Sequence, residues 1–312
     1  MVRSKFALAT ECGHTTTEVV VSSEDIAREI ELRREFFLSR LNGPVDVRDL
    51  RDLTEMTTSD PATIYRCAAC DVLVRADSAR IAARFAGDEY DERTLRMLHD
   101  LHVATFIGKN EIRELLPPGS RVLEIGSYVG GFLEAARRWG WNAAGVDIGR
   151  DTAAFTRRNG YHVMTERFER CDFAPRSFDG VFIWSCFEQM TNPEEILARV
   201  HSIAKPSAPL VIEVPDGAVY RDAERAFTEG EPRIETSRVV QQLAYNNLLG
   251  FPHHFGYSRE SLTRIVDACG FMLRTLRKVP AIRPLAERLT PMAREEETRV
   301  APAWIEAVFV TR

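Results

Sequence analysis

From Gly119 to the C-terminus, apolar runs of strand length alternate with amphipathic segments of helix length, and few folds accommodate that alternation. "RVLEIG" predicts a strand, "GFLEAARRWG" a helix closed by Gly140, and "WNAAGVDI" a strand. "DTAAFTRRNG" predicts a helix capped by Asp151 and closed by Gly160, and "YHVMT" a further strand. "FDGVFIWS" and "APLVIEVP" predict strands on either side of a helix, "NPEEILARVHSIAK", with Asn192 as N-cap and Pro193 at its first position. Strands joined through helices pair in parallel and need cover on both faces, so the class is α/β. The tail departs from the rule. After a helix "SRESLTRIVDACGF", capped by Ser258 and ended by Gly270, two strands ("MLRTLRKV" and "WIEAVFVTR") follow with no predicted helix between them. They predict an antiparallel edge pair, with "PLAERLTPMAREEETRVAP" as its loop.

Three regions follow from these boundaries. Residues 1–75 form a separate module with three cysteines and a charged amphipathic segment, "SEDIAREIELRREFFLSRL". Residues 76–118 read as a helical linker, ended by "PPG". Residues 119–312 hold the α/β domain, with an insertion at about 216–257 that follows a strand's carboxyl end and so caps a ligand crevice. A net charge of -5 with dispersed acids and bases leaves no basic stripe, which argues against nucleic acid as a partner. Apolar runs are too short for a signal sequence or a membrane span, so the expectation is a cytoplasmic protein with no membrane partner. Oligomeric state is not encoded in these patterns.

The stretch "RVLEIGSYVGGF" holds the most informative chemistry. A pyrophosphate-binding loop needs a middle glycine so that backbone approaches the phosphates, but Tyr128 stands there, and Glu124 precedes Gly126 by two residues. Both features oppose a nicotinamide dinucleotide. They suit a ligand with cations and no phosphate, such as S-adenosylmethionine, whose ammonium and sulfonium a carboxylate at Glu124 attracts. Asp147, at the end of the next strand, is placed to accept the ribose hydroxyls. The Tyr128 ring walls the methionine or acceptor pocket, or else packs on the neighbouring helix.

"VLEIGSYVGGFLEAARRWGWNAAGVDI", "SFDGVFIWSCFEQMTNPEEILARVHSIAKPSAPLVIEVPD" and "HHFGYSRESLTRIVDACGF" resemble class I S-adenosylmethionine-dependent methyltransferases over roughly the last two-thirds of the chain. The loop form is similar to that of sugar C-methyltransferases and related small-molecule enzymes. The resemblance implies a Rossmann-like, mostly parallel seven-stranded sheet with helices on both faces. It implies a cofactor site from Glu124, Gly126, Ser127, Tyr128 and Gly130, from Asp147 with Ile148, from Arg167, Phe168 and Glu169 beside adenine, and from Ser185 beside the methionine moiety. Phe168 reads equally as core. Glu188-Gln189 stands where many relatives have Glu-His, and "KPSAP" replaces Lys-Pro-Gly-Gly. The implied acceptor is a small molecule, a sugar nucleotide or a natural-product intermediate.

Methyl transfer from a sulfonium needs alignment more than proton transfer, and a base matters only for acceptors that are poor nucleophiles when protonated. His253, His254 and Tyr257 in "FPHHFGYS" and Glu188 are the candidates, with Glu213 and Asp216 as rivals; for each, a structural role is the competing reading. Cys67 and Cys70 have the spacing of a zinc knuckle. Related methyltransferases carry an N-terminal zinc module with a "CxxCG" and a later "YRCxxCG". Against that pattern Cys12 matches, Ala9 stands in for a cysteine and Asp71 for a glycine, so the expected structural zinc ligands are Cys12, Cys67, Cys70 and His14. A pair of buried thiols without metal is the alternative. Cys171, Cys186 and Cys269 have no close partners and read as isolated thiols. A competing reading of the whole chain is a methyltransferase-like protein that binds a partner through its cysteine module without catalysis.

Overall fold

The computed structural model describes residues 17–22, 63–75, 91–218, 220, 254–279 and 304–312. The segment predicted as an amphipathic helix in 1–75, Cys12, His14, His253, most of the 216–257 insertion and the "PLAERLTPMAREEETRVAP" loop lie outside the described residues.

The main sheet has seven strands: β4 (Arg121–Ile125), β5 (Asn142–Val146), β6 (His162–Met164), β7 (Gly180–Trp184), β8 (Pro209–Pro215), β10 (Phe271–Val279) and β11 (Trp304–Thr311). Their order is β10-β11-β8-β7-β4-β5-β6. β4 pairs in parallel with β5 and β7, and the parallel pairing extends to β6 on one side and β8 on the other. The chain therefore reverses its direction of travel across the sheet beside β4, which opens a crevice at the carboxyl ends of the central strands. β11 runs antiparallel between β8 and β10 and is buried at all eight positions. The two strands form the predicted antiparallel pair at the edge of the sheet, with β10, which has exposed residues along its length, outermost and β11 next to it. A strand such as "WIEAVFV", apolar but for Glu306, is what two covered faces require.

The helices are α1 (Glu92–Ile107), α2 (Asn110–Arg113), α3 (Gly131–Arg138), α4 (Arg150–Arg158), α5 (Pro193–Ile203) and α6 (Arg259–Ala268). Strand side chains alternate between two cores, as a period of two demands. Val122, Phe182, Val211 and Val308 face α1 and α3 through Phe106, Phe132 and Ala136. Leu123, Val181, Ile183, Leu210, Ile212 and Phe309 face α5 and α6 through Leu197, Val200, Leu262 and Val266.

Local signals account for most boundaries. Ser258 and Ser261 form a reciprocal capping box on α6. Asn192 is the N-cap of α5, but its amide donates to Glu195 and its side chain does not cap the backbone. α4 is capped two residues earlier than predicted, by Gly149, which leaves Asp151 in the first turn, where its charge complements the helix dipole. The region read as a linker contains α1, which packs against α3 so closely that a Cβ on Gly131 would collide with His102.

A second, antiparallel sheet has the order β1 (Thr17–Val21), β2 (Ile64–Cys67), β3 (Leu73–Arg75) and β9 (Phe255–Gly256). Backbone pairing of Leu73 with Gly256 and of Val74 with Phe255 joins the N-terminal hairpin to the end of the 216–257 insertion. Arg264 also donates to the Ala69 carbonyl, and the Ser258 hydroxyl donates to Asp71. No helix among the described residues is long and apolar enough to cross a membrane.

Candidate functional site

The glycine loop leaves β4 at Glu124 and is tied down by its own backbone. Gly126 and Ser127 both donate to the Val146 carbonyl, at 2.8 and 3.1 Å, and Gly130 donates to Ser127 at 2.7 Å. Gly126 has φ +79°, and a Cβ there would lie 2.5 Å from the Cys186 sulfur, so conformation and space both demand glycine. Tyr128 takes a left-handed φ of 43° without being glycine. Its N–H donates to Asp147 Oδ2 at 2.6 Å and its carbonyl accepts from Thr156 at 3.0 Å, while its ring lies against His102 on α1, 5.7 Å between centroids. Of the two placements weighed for this ring, the structure shows packing on a neighbouring helix.

Asp147 also accepts from Gly149 N–H at 2.8 Å and Thr152 Oγ1 at 3.2 Å. Protein donors thus take at least three acceptor positions on the carboxylate, which fixes its orientation. Ile148, immediately after it, is 71% exposed. Glu124 is buried beside Asp147, and its Oε2 has no hydrogen-bond partner. Burial, reinforced by Asp147, holds the Glu124 carboxyl well above the usual carboxylate range.

The other wall is the chain after β7. Ser185 has a φ of 51°, donates its N–H to the Glu213 carbonyl at 2.9 Å and accepts from the Gln189 side chain at 2.9 Å. Gln189 therefore stabilises this turn. Glu188, in the 3₁₀ turn Phe187–Gln189, is buried, and burial together with Glu213 pushes its carboxyl up to about 8. Its backbone carbonyl accepts the His254 N–H at 2.8 Å, which brings two of the predicted catalytic residues together. His254 is buried with Nδ1 unpartnered; burial, then Arg75 and Arg167, lower its imidazole to about 4. Tyr257 sits in the main core, fully buried and stacked on Phe187 at 5.2 Å. The Gly217 N–H donates to the Tyr257 carbonyl, which closes the base of the insertion. The rival acids have cationic partners: Lys109 for Glu213 and Lys278 for Asp216.

Cys186 lies where these walls meet. Its thiol is pushed well above the usual range by burial, and then by Glu188, Asp147, Glu124 and Glu169 in that order. Carboxyl groups carried by β4, the end of β5, the segment after β6 and the turn after β7 thus act electrostatically on this one thiol. Phe168 packs in the core, 6.2 Å from Phe173 and beneath the Arg199 guanidinium; the preceding Arg167 is exposed and Glu169 is half-buried.

Two contributors escaped the sequence reading. His99 bonds through Nδ1 to the Val129 carbonyl at 2.8 Å, and Lys109 sits over the end of β7, its Nζ 5.0 Å from the Trp184 ring centroid. His99, His102 and Phe106 recur at helical spacing, and that period was the available signal for a buried face on α1.

At the β2–β3 turn Cys67 is buried and Cys70 half-buried, and neither forms a disulfide among the described residues. Asp71 adopts φ 62°, the left-handed conformation that the glycine of a knuckle takes without cost. Among the described residues no group of three or more metal-ligating side chains forms.

Strand order, the antiparallel β11 and the glycine loop after β4 define a Rossmann-like methyltransferase architecture. Residues 97–276, more than half of the chain, match the family model for a methyltransferase domain, and the chain belongs to that family. No curated protein matches it. Among solved structures, one similar chain comes from a complex between the Haloferax volcanii Trm112 methyltransferase activator and a methyltransferase. It has a TM-score of 0.51 and 16% identity, over 76% of this chain and 99% of that one. An S-adenosylmethionine-dependent methyltransferase from Archaeoglobus fulgidus has a TM-score of 0.48 and 18% identity, over 75% and 100%. One from Mesorhizobium loti has a TM-score of 0.48 and 13% identity, over 67% and 99%. At such identities, likeness speaks to the fold alone.

Proposed function

We propose that this protein transfers a methyl group from S-adenosylmethionine to a small-molecule acceptor, a sugar nucleotide or natural-product intermediate, held under the segment at about 216–257. The observation that carries this reading is the buried Glu124 carboxyl, two residues before Gly126, whose Oε2 has no hydrogen-bond partner among the described residues. The residues fit the cofactor: Glu124 faces its cationic end, Asp147 takes ribose, and Ser127, Tyr128 and Gly130 shape the loop between them. S-adenosylmethionine, when bound, supplies an electrophilic methyl group on a sulfonium.

On the acceptor side, Glu188 is matched to proton exchange near neutral pH, because its carboxyl ionises at about 8. His254, neutral and weakly basic, orients the acceptor by hydrogen bonding, with His253 beside it in sequence. Isothermal titration of the protein with S-adenosylmethionine and S-adenosylhomocysteine tests the cofactor site. Binding should weaken by about tenfold or more in Glu124→Ala and in Asp147→Ala. A folded protein that binds neither ligand would sink the reading.

A second reading, binding without catalysis, draws on Gln189, whose amide is spent on the Ser185 carbonyl where many relatives have histidine. Methyl transfer to any acceptor, read as a mass shift, excludes it. For the N-terminal segment, the Cys67–Cys70 turn is half of a structural zinc site that Cys12 and His14 complete. Metal analysis of protein purified without added metal should find about one zinc per chain, lost in Cys67→Ser. Clearly sub-stoichiometric zinc, with folding indifferent to chelator, would leave a pair of plain thiols.

A further inference from the structure

A row of charged side chains crosses the sheet on the α1 face. Strand register sets Trp184 opposite Glu213, Glu213 opposite Glu306, and Glu306 opposite Arg277. Glu213 and Glu306 are both buried, and two carboxylates directly opposite one another repel unless a cation bridges them. Lys109, from the turn between α1 and α2, is that cation. Its Nζ lies 2.9 Å from Glu213 Oε2, bonds Glu306 Oε2 and sits over the Trp184 ring. Burial alone would lower the ammonium's pKa, but the two carboxylates outweigh it and raise it, so Lys109 stays charged.

The remaining oxygens lead in two directions. Glu306 Oε1 is taken by Arg277 Nε at 2.7 Å, and Arg277 also pairs with Glu111, away from the glycine loop. Glu213 Oε1 accepts from Ser185 Oγ at 3.4 Å, and the Glu213 carbonyl accepts the Ser185 N–H. Ser185 is a non-glycine residue in the left-handed region, a conformation that surrounding contacts must impose. The next residue, Cys186, has its sulfur against Gly126. Apolar side chains would stabilise this layer as well as buried ions do, so a buried charge network suits geometric control better than stability.

We propose that Lys109 is a positioning residue of the cofactor site: through Glu213 it holds Ser185 in its left-handed turn and so keeps Cys186 seated against the glycine loop. This rests on the cofactor reading above. The test is S-adenosylhomocysteine titration of Lys109→Met, Lys109→Arg and Arg277→Met, with thermal unfolding of each. Arg277→Met disturbs the same network without touching Ser185. Lys109→Met should weaken binding by about tenfold or more, Lys109→Arg should recover most of that loss, and Arg277→Met should stay within about twofold of the parent.

A folded Lys109→Met that binds within about twofold of the parent overturns the proposal, as does an equal loss in Arg277→Met, which would mean general loosening. If Lys109→Met does not fold, the combined Lys109→Met, Glu213→Gln, Glu306→Gln variant removes the stranded charges and is judged by the same thresholds. A parent protein that binds no S-adenosylhomocysteine fails differently: it removes the cofactor reading and this proposal with it.

Discussion

Gly126 shows how one position couples backbone and packing. Its φ of +79° excludes a side chain on conformational grounds, and the Cys186 sulfur excludes one on steric grounds. Gly126→Ala is therefore expected to cost about 1–3 kcal/mol in denaturant unfolding. Cys186→Ala in the same chain should recover the steric part and leave the conformational part. Strict additivity of the two substitutions would show that the contact is not felt. Tyr128 shows what a residue type alone leaves open. Its presence argued against a pyrophosphate, but the direction of its ring depended on α1, whose packing no short motif announces.

At the scale of elements, α1 changes most between sequence and structure. Read as linker, it is part of the domain. Leu95 and Leu98 pack with Val129 and Phe155, Phe106 meets Phe132 and Trp184, and His99 bonds the glycine loop. Gly131 lets this helix approach α3, so Gly131→Val should push α1 outward. We expect a loss of about 1–3 kcal/mol, with faster amide exchange in residues 92–107 than in α5. Equal protection in both helices would show that α1 tolerates the displacement. α6 behaved as its sequence reads, because a serine cap and its reciprocal partner lie within four residues of each other.

Across the whole molecule, stability should depend on pH through buried groups with opposite signs, Glu188 among the raised carboxyls and His254 among the lowered imidazoles. Glu188 has a folded-state pKa raised to about 8, so its contribution is fully present below the ordinary carboxylate range and is lost as pH rises toward 8. His254 is lowered to about 4, so its contribution is present above the ordinary histidine range and is lost as pH falls toward 4. Glu188→Gln should reduce the alkaline decline, to which Glu188 adds up to about 1.4 kcal/mol per pH unit, and leave the acid limb in place. Melting temperatures measured across pH check this; an unchanged alkaline limb in the variant would mean that Glu188 ionises normally.

The sequence alone determined the α/β class, the parallel strands β4 to β8, and the helix ends at glycine and serine. Those features rest on local periodicity and backbone conformation, which a short window carries. Tertiary structure decided that β11 enters between β8 and β10, that the cysteine hairpin joins β9, that Asp147 spends at least three acceptor positions on the protein, and that Lys109 bridges Glu213 and Glu306. Each depends on which distant segments come together. A strand's apolar pattern says that it has covered faces but not which strands flank it, and a charged residue's partner is set by the fold that places it.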